Sequence, residues 1–317
     1  MTNFDQEAAD AAQARQDSLT KPQGSLGRLE ELAIFMAGWR GTSRPTMDRT
    51  QAIIFAGNHG VVARGITPFP ASVTQAMVQN YRNGGAAINQ ICKVAGADLQ
   101  VVALDLDRPT ADFTAGPAMT PTEVQQAMDA GAQAVDPTAD ILLLGEMGIG
   151  NSTIAAAQAA ASMGGRAEDW VGPGTGAKGP MLQAKIAAVA EGLALHSPKT
   201  AHETLSAFGG REQAAICGAI LRARELRIPV MLDGFICCAA AAVLTRDDPQ
   251  ALEHCLIGHV SAEPGHKRLI AALGKQPILS LDMRLGEGSG AGVALLVLRA
   301  ALECHNGMAT FAEAGIG

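Results

Sequence analysis

Residues 139–146 read ADILLLGE: four aliphatic residues run together without polar alternation and end on a glycine and an acid. A strand with water on one face alternates apolar and polar residues. An unbroken apolar run belongs to a sheet covered on both faces, and such sheets are parallel. The same form recurs in QAIIFAG (51–57), DLQVVALDLD (98–107), PVMLDG (229–234), HCLIGH (254–259) and PILSLD (277–282). Between these runs lie Ala-rich stretches of helical length, such as STIAAAQAAASM, REQAAICGAILRAREL and SGAGVALLVLRAALE. Strands alternating with helices predict an α/β fold, a parallel sheet with helices on both faces. Ligands in such folds bind beyond the carboxyl ends of the strands.

The 317 residues suffice for a sizeable core. Hydrophobic residues make up 48% and charged residues 17%, which excludes intrinsic disorder. The net charge of -7 argues against a nucleic-acid partner, because phosphate affinity needs clustered Lys and Arg. No apolar run approaches the roughly 20 residues of a membrane span, and the polar start MTNFDQEAADAAQ is unlike a signal peptide. Six cysteines without a C-x-x-C pair read as buried free thiols, which places the protein in the cytoplasm. No Cys or His spacing suggests a zinc site.

The first 45 residues have a helical pattern, clearest in LGRLEELAIFMAGW (26–39). With 301–317 they are expected to form a small helical domain beside a large α/β domain of 46–300. GTSRPTMDR (41–49) is the expected linker. In KPQGSLGRLE (21–30), Pro22 and Gly24 predict a turn and Ser25 a helix N-cap, with Lys21 and Arg28 in solvent.

Glycine placement carries the functional signal. Strands end in AGNHGV (56–61), GEMGIGNST (145–153), LDGF (232–235) and SAEPGH (261–266). LGEGSGAG (285–292) is read as a further strand end, and VGPGTGAKG (171–179) as a glycine turn before a helix. Backbone amides in such turns bind phosphate or another anion. Neither a P-loop nor a G-x-G-x-x-G fingerprint is present, which disfavours an NTPase or an ordinary NAD enzyme. A mononucleotide or a sugar phosphate remains open. Glu146 and Glu287 stand inside two of these turns. A Glu in a cramped, dry loop gains basicity and suits proton abstraction, whereas an acid there can also simply cap the next helix. His59 and His266 are candidate ligand contacts. His259 and Asp233 are read as structural.

Together these segments resemble the nicotinate-nucleotide:dimethylbenzimidazole phosphoribosyltransferase family of cobalamin nucleotide-loop assembly. The matching stretches are KPQGSLGRLE, NHGV, GEMGIGNST, VGPGTG, PVMLDGF, HVSAEPGH and RLGEGSGA, in order along nearly the whole chain. The resemblance implies a homodimer with a Rossmann-like parallel sheet plus a small helical domain, and neither a metal nor a cofactor. It implies transfer of phosphoribose from nicotinate mononucleotide to a benzimidazole base. It makes Glu287 the catalytic base, Glu146 the second active-site glutamate and Lys185 the active-site lysine. Substrate binding falls to Gly148, Asn151, Gly174, Gly176, Ser261, Gly286 and Gly288. This chain departs from the family pattern at Asn58, where many members have Asp. Phe69 and Met77 stand where one branch has Ser and Gln against the base, so they are expected to line the base pocket. The residues alone also fit another mononucleotide glycosyltransferase or a nucleotide-binding regulatory module.

Overall fold

The computed structural model describes residues 3–316. Six strands, β1 (Thr50–Ala56), β2 (Ala97–Ala103), β3 (Ile141–Met147), β4 (Val230–Leu232), β5 (Cys255–His259) and β6 (Pro277–Leu279), form one sheet in the order β2-β1-β3-β4-β5-β6. Every pairing is parallel, as the apolar runs predict. Thirteen helices accompany them among the described residues: α1 (Gln6–Ser18), α2 (Arg28–Arg40), α3 (Ser72–Arg82), α4 (Ala87–Ala95), α5 (Pro121–Ala134), α6 (Asn151–Met163), α7 (Pro180–Leu195), α8 (Ala201–Phe208), α9 (Arg211–Glu225), α10 (Phe235–Val243), α11 (Pro264–Ala272), α12 (Ser289–Gly307) and α13 (Phe311–Ala314).

The strands bury both faces by the period-2 rule. Ile53, Phe55, Leu142, Leu144, Val230, Leu232 and Ile257 point into a core shared with residues of α5, α6, α8, α9 and α10. Ala52, Ile54, Ile141, Leu143, Met231 and Leu256 point the other way, into a core closed by α2, α4 and α12. The middle of each central strand is therefore apolar on both faces. The outermost strand β2 alternates between half-buried and exposed residues, because its outer edge faces solvent.

Helix starts follow local chemistry. Thr120 and Glu123 form a capping box ahead of α5, with Pro121 in its first turn, and Thr200 and Glu203 do the same for α8. At α2 the outcome differs from the expectation. The helix begins at Arg28 behind Gly27, and Ser25 lies in the preceding turn. Glu30 does the work assigned to Ser25: its carboxylate accepts the Leu26 amide at 2.9 Å. The same carboxylate accepts from Lys21 at 2.8 Å, so Lys21 is a buried ion pair, not a solvated charge.

The chain ends are tied to each other. Arg15 donates to the carbonyls of His305, Asn306 and Met308, and Gln16 bonds the His305 ring. The boundary expected at 300–301 falls inside α12, which is continuous, and α2 packs into the same apolar layer as the sheet.

Helices α5 and α9 meet backbone to backbone. Gly131 sits against the Ala215 carbonyl and Gly218 against the Met128 carbonyl, with no room for a Cβ at either. Gly218→Ala gains about 1 kcal/mol of helix propensity but overpacks a backbone contact, at about 1–3 kcal/mol. A net loss of up to about 2 kcal/mol in urea denaturation is expected; a stabilised variant would show that the helices do not touch there.

Candidate active site

The loops at the carboxyl ends of β3, β4, β5 and β6, with the segment after β1, enclose a cavity of about 580 Å3. It sits away from β2, so it lies to one side of the point where the strand order reverses. Of the residues singled out in the sequence, Glu146, Gly148, Asn151, Gly174, Ser261, Gly286, Glu287 and Phe69 line it.

Glu287 has the most constrained backbone in the wall. Its φ is +65°, between Gly286 at +83° and Gly288 at +81°. A left-handed conformation costs a non-glycine residue about 1–3 kcal/mol, and such strain concentrates at functional sites. Two interactions impose it. Asp233, at the end of β4, accepts the amides of Gly288 at 3.1 Å and Ala291 at 2.8 Å, thereby fixing the start of α12. From the other side β3 presses directly on the turn. A methyl group on Gly145 would lie 2.7 Å from the Glu287 carbonyl and 2.8 Å from the Gly288 nitrogen.

The carboxyls here are unusually basic. Burial raises Glu287, an effect opposed by the nearby Tyr81 hydroxyl of α3 and reinforced by the charge of Asp233. Glu146 is pushed up to about 8 by burial and by the charges of Asp233, Glu212 and Glu287, with the Asn151 amide opposing as a donor to it. Glu146 does not cap α6: its side chain lies against Gly286 and Asn151. Burial also raises Asp233, while His259, at 3.5 Å, and the α12 amides draw it back down.

At the other end of the cavity stand Ser152, Gly174, Thr175, Ser261 and Glu263. Behind Gly174 lies Lys185 of α7, which donates to the Gly172 carbonyl at 2.7 Å and to Ser152 Oγ at 3.0 Å. Burial lowers its ammonium to about 8.

A family model described as phosphoribosyltransferase matches residues 1–316. The chain belongs to this phosphoribosyltransferase family. A nicotinate-nucleotide–dimethylbenzimidazole phosphoribosyltransferase of Rhodobacter capsulatus is 62% identical over 312 residues, spanning 98% of this chain and 93% of the relative. The Novosphingobium aromaticivorans enzyme of the same name is 59% identical, with the same coverage. The crystal structure of the Thermus thermophilus phosphoribosyltransferase superposes with a TM-score of 0.92 at 39% identity, covering 99% of both chains. No helix among the described residues is long and apolar enough to cross a membrane.

Several residues expected in this phosphoribosyltransferase site stand outside the cavity wall. Met77 packs on the second sheet face, in the core that holds Tyr81, because it sits one turn from Tyr81 on α3. Gly288 spends its amide on Asp233. Lys185 is covered by Gly174, and Gly176 lies beyond that turn. The histidine readings also shift. His59 is fully buried against Glu212 at 3.0 Å, and His266 accepts the Ser261 amide; neither reaches the cavity, whereas His259 lines it. Asn58 donates to the Leu106 carbonyl at 2.9 Å, a contact that suits an amide and would repel a carboxylate. The sequence reading did not single out Met147, Leu285, Arg284 or Glu263 as lining residues. All lie within or beside the glycine turns, but nothing in their spacing marks them.

The Glu146 shift makes stability depend on pH. Below its ordinary value of 4.5 the carboxyl is protonated in both folded and unfolded chains; up to about 8 only the folded chain keeps the proton. Stability is therefore lost as pH rises across that window and levels off above it. Glu146→Gln removes the loss. The variant should unfold later than the parent at pH 8, by a few kcal/mol at most, and at nearly the same point at pH 4.5. Equal thermal midpoints at pH 8 would contradict the buried, raised carboxyl.

Proposed function

We propose that the chain transfers the phosphoribosyl group of nicotinate mononucleotide to a nitrogen of 5,6-dimethylbenzimidazole, giving α-ribazole 5'-phosphate and nicotinate for the lower ligand of cobalamin. The observation that carries the reading is Glu287: a buried, basic carboxyl held at positive φ between two glycines in the wall of the cavity. The names of the full-length relatives support the same reaction.

In this reading the bond between the ribose anomeric carbon and the pyridinium nitrogen breaks, and its electron pair leaves with nicotinate. One nitrogen of the benzimidazole attacks that carbon. The proton on its other nitrogen passes to Glu287, a transfer worth about 10²–10⁴-fold. Positive charge stands on the pyridinium in the ground state and spreads onto the ribose in the transition state. Asp233, drawn toward its ionised form by His259 and the α12 amides, favours such charge, and a fixed, dry wall does so without reorganising. Holding the two rings on either side of the ribose converts a bimolecular step into an internal one. The phosphate belongs at the Gly174 turn, with Lys185 behind it and Ser152, Ser261 and Arg284 around it. Gly148, Asn151, Gly176, Gly286 and Gly288 shape the loops that hold the nucleotide.

Incubation with nicotinate mononucleotide and 5,6-dimethylbenzimidazole, followed by chromatography for free nicotinate and the new ribotide, tests the reaction. Binding without either product would leave a nucleotide-binding module. Glu287→Gln keeps the shape but not the base, so turnover should fall ~10²-fold or more with nucleotide affinity retained; near-native turnover would remove Glu287 from that role.

Base selection is assigned to the apolar wall of Phe69, Met147 and Leu285. Phe69 is 44% exposed at the rim, and its loop touches the Gly174 turn through Thr67 and Thr175 at 3.3 Å. A wall that reads rings by stacking and shape separates bases differing by a methyl group by only about 1–3 kcal/mol. Competition among benzimidazole, 5-methylbenzimidazole and 5,6-dimethylbenzimidazole should thus give ratios of about 10–200-fold at most. Phe69→Ser should change those ratios, and Met77→Gln, away from the wall, should not. Unchanged ratios in Phe69→Ser would place the base elsewhere.

A further inference from the structure

Glu263 is a residue out of its usual place. It occupies the N-cap position of α11, where an acidic side chain would ordinarily accept amides of its own helix, yet it makes no such bond. Its side chain instead crosses to the glycine turn, where Oε1 accepts the Gly174 amide at 3.0 Å. Gly172 leaves room for the other oxygen: a Cβ there would collide with Oε2. Oε2 has no hydrogen-bond partner, although the residue is 92% buried by its 8% exposure. Glu263 thus joins the part of the wall formed by Gly174, Thr175, Ser152 and Ser261, with Oε1 on the Gly174 amide and Oε2 buried behind it against Gly172.

The surrounding charges are those of an anion site. Lys185 of α7 and Arg284 of the loop before α12 act on Glu263 from two sides. Lys185 uses two of its protons on Ser152 and Gly172, and forms no ion pair within 4 Å among the described residues. Arg284 donates to the Gly174 carbonyl at 3.4 Å. A carboxylate is a small anion with two acceptor oxygens, chemically close to one edge of a phosphate. The only acid at this end of the cavity therefore sits on the amide that a phosphate there would use.

We propose that Glu263 is an internal competitor for the substrate's phosphate: a phosphate monoester reaches the Gly174 amide only when the Glu263 carboxylate is displaced from it or neutralised by one proton. The inference rests on placing the phosphate at the Gly174 turn, as the proposed function does. Its physical basis is like-charge repulsion. A dianionic phosphate beside a buried carboxylate is unfavourable unless one of them gives way. Burial already favours the protonated form of Glu263, opposed by Lys185, the Gly174 amide and Arg284, so proton uptake is the accessible route.

The test uses inorganic phosphate, which carries no ribose to confuse the result, together with nicotinate mononucleotide. Binding is measured by titration calorimetry at pH 8, where inorganic phosphate and phosphate monoesters are both mainly dianions, in two buffers of different ionisation enthalpy. Gln at 263 can still accept the Gly174 amide, so a merely structural role predicts no gain in affinity. Competition predicts that Glu263→Gln binds phosphate about tenfold tighter or more at pH 8 and takes up fewer protons than the parent. Lys185, lowered to about 8 by burial and raised by Glu263, titrates in the same range, so proton uptake is compared again in the Lys185→Met background, where only position 263 differs. Unchanged or weaker binding in Glu263→Gln, with the parent's proton uptake, overturns the inference. Lys185→Met separates the two readings. If it leaves phosphate affinity intact, the phosphate lies elsewhere and its placement fails; if it weakens binding while Glu263→Gln does not strengthen it, only the competition fails.

Discussion

One buried carboxylate, that of Asp233, holds the site in shape. Leaving such a charge without partners inside a protein costs several kcal/mol. Here the amides opening α12 supply hydrogen bonds and a favourable dipole, and His259 stands beside it. The exchange locks the end of β4 to the start of α12. It also dictates the backbone of Glu287, whose left-handed turn would relax if the anchor were lost. The basicity of Glu287, the position of Gly286 against Glu146 and the form of the cavity wall all follow from that grip.

The cavity is electrostatically divided. Around β3 and β4 lie Glu146, Asp233 and Glu287, buried acids among which the charge of Asp233 raises both glutamates. Around the Gly174 turn lie Lys185 and Arg284, with Glu263 among them. A substrate carrying a pyridinium nitrogen at one end and a phosphate at the other matches this division, and nicotinate mononucleotide is such a molecule. The division arises from topology: parallel strands release all their loops at one edge, so residues more than 140 positions apart, such as Glu146 and Glu287, share one wall.

Much of this was legible in the sequence. Continuous apolar runs gave away a sheet covered on both faces, and all six runs became strands. Glycines beside acids marked Glu146 and Glu287, because only a crowded turn needs both. The failures share a cause. Ser25, Lys21, His59 and Met77 were assigned by residue type and local position, but their partners (Glu30, Glu212 and the second-face core) come from elsewhere in the chain or from the helix register. Long-range pairs leave no periodic trace. Glu263 was hidden for the same reason: a residue at a helix start reads as a cap, and nothing local reveals that it reaches back 89 positions.

The backbone contact between Gly145 and the Glu287 turn divides the cavity in a second way. One wall is joined main chain to main chain and tolerates almost no change. The facing rim, from Ile66 to Ala71, is a loop whose exposed Phe69 is held mainly by its own side chain and one threonine pair. Mutational freedom is therefore unequally distributed around a single ligand. A lineage can exchange residues along the rim and so move to a new ring system, while the opposite wall, sealed by two glycines and an aspartate, leaves little room for exchange. Diversity of acceptor on a fixed chemistry is the evolutionary pattern that this architecture permits.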